Sequence, residues 1–309
     1  MSLNSSMNTN VVKTALDDVF MPAFKREAKP GYTNINDGAV FIQSSTDRAA
    51  QIEEIMKGVS LWSEKPEEEN VETDDPRFDN KITFTVKTFA KGIDIPKEFF
   101  DDNMHGSYEK VVRDLGNKGY VTMDDDAFSI YRGAFTTTLT ADGVALVSDS
   151  HTTIGGQTVD NKLTATLSVS AMDDAITAMA EQKDQAGVIL GNTADTLLVP
   201  PALFREAVEI TESTLLANTT DNNVNWISAK YNITVKQSER LGAAAGGSNT
   251  AWFLLSDNHS VTRWSREGMS TSLRDWRESR NDAYFYRGRF RQVVGALDYV
   301  GVIGSDGSV

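Results

Sequence analysis

The side chains able to do covalent or metal chemistry are few and scattered. The three histidines, His105, His151 and His259, lie too far apart for any two to share metal-ligand spacing. Ser148-Asp149-Ser150-His151 sets a hydroxyl, a carboxylate and an imidazole side by side, the parts of a nucleophilic hydrolase. Such triads are recognised by spatial geometry and not by adjacency, so a polar turn is the plainer reading. There is no nucleophile elbow and no phosphate-cradling glycine loop. In DDNMHGSYEKVV, Asp101, Asn103 and Gly106 match positions one, three and six of a calcium loop. His105 stands at position five, however, and Val112 at position twelve, where a bidentate glutamate is needed. The stretch therefore reads as a turn into a helix, with Gly106 or Ser107 in the cap region. The chain has no cysteine, which excludes disulfides, thiolate nucleophiles and thiolate zinc sites. No catalytic residue, metal or cofactor is expected.

The chemistry that does form a pattern is ionic. The net charge is −14, which disfavours bulk binding to nucleic acid or an anionic membrane. The charge is also unevenly placed. Between Glu64 and Asp79 stand eight acids, among them Glu67, Glu68, Glu69, Asp74 and Asp75, against Lys65 and Arg77. Between Arg263 and Arg291 stand eight arginines and no lysine, against four acids. Arg287, Arg289 and Arg291 alternate along a strand-like run and so share one face. Arginine forms bidentate pairs with carboxylates and is enriched at protein interfaces, so these two segments are candidate intersubunit contacts.

The elements that would carry these charges are legible in outline. Residues 1–10 read as a flexible tail and 11–28 as a weak helix interrupted at Pro22, together an arm with little core-forming density. DRAAQIEEIMK, 47–57, reads as a short amphipathic helix ended by Gly58. The stretch from Ser60 to Pro96 is strand-like at both ends and acidic between them, a long hairpin with a charged tip. In its return limb Ile82, Phe84 and Val86 alternate with polar residues, and the phase slips near Thr88, which predicts a bulge. An isolated hairpin is marginally stable in water, so one this long must pack on something else, a second chain included.

The longest helix is expected over 107–132, with one apolar face at Tyr108, Val112, Leu115, Gly119, Met123, Ala127 and Ile130. Gly116 and Gly119 inside it imply a bend or a close contact. A polar connection, 136–166, leads to a helix over 170–183. TLLVPPALFREAVEI then reads as a buried strand, a proline turn with Pro201 in the first helical turn, and a helix. A flexible loop at 241–249, a buried strand AWFLL and a strand-rich ending complete the chain. No apolar run reaches the length of a membrane span.

Several passages, taken in order, resemble the HK97-fold major capsid proteins of tailed bacteriophages, with the Mu-like head subunits nearest. KTFAKGIDIPKEFFDDNMHGSYEKVVRDLGNKG resembles the exit from that family's E-loop into its spine helix. LVSDSHTTIGGQ resembles the loop after the spine. LSVSAMDDAITAMAEQKDQAGVILGNTADTLLVPPALFREAVEI resembles the first helix, strand and second helix of its axial domain. AWFLLSDN and RGRFRQVVGALDYVGVIGSDG resemble its closing strands.

The resemblance implies an α+β fold with an N-terminal arm (1–33), a first part of the peripheral domain (34–57) and an E-loop (58–95). The peripheral domain with the spine helix (96–165), an axial domain (166–260) and closing peripheral strands (261–309) follow. In it TLLV becomes the central strand of the axial domain and 241–249 its axis-facing tip. It implies a non-enzymatic subunit that self-assembles as hexamers and pentamers into an icosahedral shell around phage DNA. That DNA would be touched non-specifically. The implied partners are a separate scaffold, a portal and cement proteins, and the implied locations are the virion and, during assembly, the host cytoplasm. Only about 30 residues precede the body, which makes a separate scaffold the simpler expectation. No Lys–Asn cross-linking trio is assigned by any motif. An encapsulin-like compartment subunit is the alternative, and a soluble hydrolase built on His151 the remote one.

Overall fold

The computed structural model describes residues 9–25, 29, 31–74, 76–98, 105–215, 224–279 and 281–308, with backbone alone at 105–107. Two helices and a four-stranded sheet make its larger core. Helix α1 (Thr9–Phe24) buries Val12, Leu16, Phe20 and Phe24. Helix α2 (His105–Arg132) has 28 residues and presents Val112, Leu115, Met123, Ala127 and Ile130 to the same core. The two helices meet closely at Gly116, where a Cβ would stand 2.7 Å from the Phe20 carbonyl oxygen. The glycines inside α2 thus mark a contact. The segment expected to be a coreless arm is instead part of the main core, because its apolar residues recur on one helical face. Pro22 sits in the last turn of α1, so only one backbone bond near the end is lost.

The sheet beneath them runs in the order β1 (Ile42–Ser45), β11 (Val261–Arg274), β12 (Ala283–Ala296), β4 (Lys87–Pro96). Its helix-facing side carries Tyr284, Tyr286 and Phe290 of β12, and Phe290 stacks on Phe89 of β4 at 5.0 Å. The next residues along β12 face the other way, as the two-residue period of a strand requires.

The expected helix over 47–57 is a strand. β2 (Ala50–Met56) pairs antiparallel with β3 (Phe78–Thr85), Ile52 opposite Thr83 and Glu53 opposite Ile82. Ala, Gln and Glu favour a helix locally. No core lies beside this stretch to receive a helical face, and only Ile55 of the strand is buried. Hydrogen bonding to the return limb decides the outcome. The phase slip expected near Thr88 falls at Val86, where the chain stops pairing with β2 and starts pairing with β12. Phe84 and Val86 pack there against Trp264 and Val293, anchoring the hairpin root.

A five-stranded sheet forms the second unit, in the order β7 (Lys162–Leu163), β13 (Val302–Ser305), β10 (Trp252–Leu255), β8 (Thr196–Val199), β9 (Thr234–Gln237). Its three inner strands, β13, β10 and β8, are buried on both faces and serve two cores. Leu198, Phe253, Leu255 and Val302 join the α1–α2 core, while Leu197, Val199, Trp252, Leu254 and Ile303 join a second one. That second core is closed by α3 (Val169–Ala180), α4 (Phe204–Glu212) and α5 (Trp226–Lys230). Ser168 caps α3, its hydroxyl accepting from the Ala171 N–H.

TLLV is an interior strand next to the middle one, and the middle position belongs to β10. Pro200 and Pro201 form a turn, and α4 begins three residues after Pro201, so the prolines stop the strand without entering the helix. The 241–249 segment is a compact turn closed by Gly247 N–H donating to Gly242 O and Ser248 N–H to Leu241 O. Gly247 abuts Arg132 at the end of α2, while Ala243, Ala244, Gly246 and Asn249 of the same turn are exposed. Among the described residues no helix is long and apolar enough to cross a membrane.

Candidate functional site

Beyond the β2–β3 ladder the hairpin continues without regular strand pairing, held by side-chain rungs. Lys57 N–H donates to Arg77 O at 2.9 Å. The Ser60 hydroxyl and N–H both donate to Asp74 Oδ2 at 2.6 Å, and the Ser63 hydroxyl donates to Glu72 Oε2 at 2.6 Å. The bonds from Ser60 hold the Asp74 carboxyl below its usual range. At the tip, Glu69 N–H reaches Pro66 O and Glu68 takes the left-handed turn position at φ 69°. Glu67, Glu68, Glu69 and Asp74 are exposed, as expected of a charged tip. Arg77 lies 3.7 Å from Asp79, and Asp75 lies outside the described residues.

The sequence reading missed the apolar half of this tip. Trp62 is 96% exposed and Leu61 75%, with Val59 and Val71 also open to solvent. A tryptophan in the outgoing limb of a hairpin with no strand partner was the available signal, because nothing within one chain can cover it.

Arg287, Arg289 and Arg291 do share one face of β12, the side turned away from α1 and α2. The Arg287 Nε donates to Ser272 Oγ at 2.8 Å. Arg289 lies 3.5 Å from Glu267 of its own chain. Arg289 Nε and Arg291 Nε are both buried with no hydrogen-bond partner among the described residues. Val293 continues the same face into the hairpin root, so the hairpin leaves the body on the arginine side. No ion pair within one chain joins the tip acids to this row among the described residues.

The other charged groups hold the body together. Asp124 on α2 accepts from Ile35 N–H at 2.9 Å and lies 3.8 Å from Arg240 Nε. Burial outweighs those partners and raises its pKa to about 6. His151 is fully buried, its Nδ1 2.7 Å from Asp142 Oδ2 and its ring against Tyr299 at 4.6 Å. Its Nε2 meets no hydroxyl, and the Ser148 and Ser150 hydroxyls bond to each other. The pieces of the suspected triad are therefore not assembled. Among the described residues no group of three His, Asp or Glu side chains could hold a metal. Of the calcium-like loop, residues 101–104 lie outside the described residues.

Comparison with known proteins fits this arrangement of hairpin, long helix and two sheets. A family model described as phage capsid protein matches residues 79–305. Among solved structures, one from Microbacterium phage Oxtober96 has 11% identity and a TM-score of 0.55, covering 91% of this chain and 93% of that one. The mature capsid of bacteriophage PhiM1 has 12% identity and a TM-score of 0.56, covering 91% and 89%. A virus-like particle from Pyrococcus furiosus has 8% identity and a TM-score of 0.56, covering 95% and 98%. These likenesses establish an HK97-like capsid fold. No curated protein sequence matches.

Proposed function

The chain belongs to the phage capsid protein family, and on that premise we propose that it is the major head subunit, self-assembling into the icosahedral shell that encloses phage DNA. The family match over residues 79–305 carries the reading. The physics of the chain supports it, since an exposed tryptophan on the hairpin and arginine nitrogens with no hydrogen-bond partner among the described residues both gain from a second copy. Intersubunit burial supplies the apolar contact that one chain lacks.

In this reading the hairpin (58–95), spine-helix domain (34–57, 96–165 and 261–309) and axial domain (166–260) keep their assigned roles, while α1 ties the expected arm (1–33) to the body's core. The strand pairing supports drawing the hairpin's base earlier, at Ala50, and its end at Val86. The acidic segment 64–79 of one subunit, with Glu67, Glu68, Glu69, Asp74, Asp75 and Arg77, lies near the row Arg287, Arg289 and Arg291 of a neighbour. A solved assembly with those groups more than about 16 Å apart, two Debye lengths at physiological salt, would refute that contact. A scaffold, a portal and cement proteins are the further proposed partners, with non-specific contact to DNA, and assembly takes place in the host cytoplasm.

Electron microscopy of the expressed protein tests the proposal. Shells tens of nanometres across are expected, and a monodisperse monomer under all conditions would overturn it. The encapsulin-like alternative implies the same fold. Density inside the particles, DNA or enzyme cargo, separates the two.

A further inference from the structure

The body carries one groove suited to the apolar half of the hairpin tip. It is a cavity of about 170 Å³ between α2 and the edge strand β4. Phe20, Leu115 and Phe290 form its floor, and Phe89 and Met269 its walls. Lys91 and Lys118 stand exposed at its mouth and make no ion pair among the described residues. An apolar floor beneath a basic rim is the complement of the tip, where Leu61 and Trp62 project from a stretch of Glu64, Glu67, Glu68 and Glu69.

We propose that Trp62 of one copy seats in the groove between α2 and β4 of a second copy, with the neighbouring Glu64 meeting Lys91 and Lys118. This docking rests on the shell-forming reading. It assigns the tip a desolvated aromatic anchor ringed by charge, the arrangement that concentrates binding energy at interfaces. It is also compatible with the arginine row. Arg287, Arg289 and Arg291 lie on the opposite face of the same sheet, one strand in from the free edge of β4. Trp62 and Glu67 are separated by about 16 Å of extended chain. Neighbouring strands are about 5 Å apart, so one hairpin straddling that edge reaches both faces.

The lack of native cysteine makes the test clean. Ser63→Cys and Thr122→Cys are introduced together in the full chain, shells are assembled and then oxidised, and products are resolved without reductant. A ladder of disulfide-linked subunits is expected, reduced about tenfold when Trp62→Ala is added. Ser63→Cys with Lys230→Cys on α5 serves as the control and is expected to give no ladder. Intact shells without a ladder, or an equal ladder from the control pair, would overturn the docking while leaving the shell-forming reading in place. Such a result would assign the groove to another occupant. Absence of shells from the unaltered chain would overturn that reading itself, and the docking with it.

Discussion

His151 and Asp142 form a sealed pair, Nδ1 to Oδ2 at 2.7 Å, with the imidazole fully buried. Burial alone would raise the Asp142 carboxyl, but hydrogen bonds from His151, Thr140 and the Val144 N–H outweigh it and hold the pKa below its usual value. The pair joins the 140–144 turn to the β5–β6 hairpin (His151–Thr152 with Thr158–Val159), beside Tyr299. Removing one partner strands the other, which typically costs about 3–5 kcal/mol. His151→Ala is therefore expected to lower the melting temperature of the unassembled subunit by roughly ten degrees, and Asp142→Asn by clearly less, because the amide keeps an acceptor. Equal melting temperatures for His151→Ala and the unaltered chain would contradict a structural role.

Asp124 makes stability depend on pH in the direction opposite to a paired carboxylate. Its pKa is raised from 3.8 to about 6 in the folded chain, chiefly by burial. Between those values the folded state holds the proton more tightly than the unfolded state. The contribution of this group is thus fully favourable below about pH 4 and declines as pH rises to about 6. A shift of that size is worth on the order of 3 kcal/mol. Asp124→Asn keeps an acceptor for the Ile35 N–H and abolishes the titration. Urea unfolding of both proteins between pH 4 and pH 7 is expected to show the stability difference, variant minus unaltered, growing as pH rises. A constant difference would refute the assignment.

The two glycines of α2 should respond oppositely to alanine. At Gly116 the new Cβ would meet the Phe20 carbonyl oxygen at 2.7 Å and the Ala23 Cβ at 3.1 Å, backbone and helix that have no room to give. At Gly119 the nearest atom is the Met269 Cε at 3.4 Å, the end of a flexible side chain. Gly116→Ala is expected to destabilise by about 1–3 kcal/mol through overpacking. Gly119→Ala is expected to be neutral or to stabilise by up to about 1 kcal/mol, the gain in helix propensity. Chemical denaturation of the two variants checks the contrast.

What could be read from the sequence followed from period and punctuation. The face of α2 from Val112 to Ile130, the buried run Leu197 to Val199 and the single face of Arg287, Arg289 and Arg291 are all periodic signals, and each appears in the structure. Residues 47–57 misled because their helical composition is a local property, whereas their strand state depends on pairing with residues some thirty positions away. Phe20 and Phe24 were placed in an arm for a related reason. Their burial depends on Gly116 admitting α1, a tertiary contact with no local signature. Trp62 went unnoticed among the acids because charge dominates the composition of the tip, while its exposure is a property of the hairpin's reach.

The arginine row is expected to respond to charge reversal in a graded order. Arg289 already has Glu267 of its own chain at 3.5 Å, and Arg287 donates to Ser272. Neither Arg289 Nε nor Arg291 Nε has a hydrogen-bond partner among the described residues, but Arg291 also makes no ion pair among them, so Arg291 gains most from a carboxylate supplied by a second copy. Arg291→Glu should therefore raise the protein concentration needed for shell formation more than Arg287→Glu or Arg289→Glu, by about tenfold or more. Opposite charges brought together by a second reversal restore attraction, so Glu67→Lys with Glu68→Lys should recover assembly in the Arg291→Glu background. The tip variant alone should assemble poorly. Raising salt should narrow all these differences, since a partly exposed ionic contact is screened. Light scattering across a concentration series reads each value. Failure of the tip reversal to rescue any arginine reversal would separate the two segments and leave the row to a different partner.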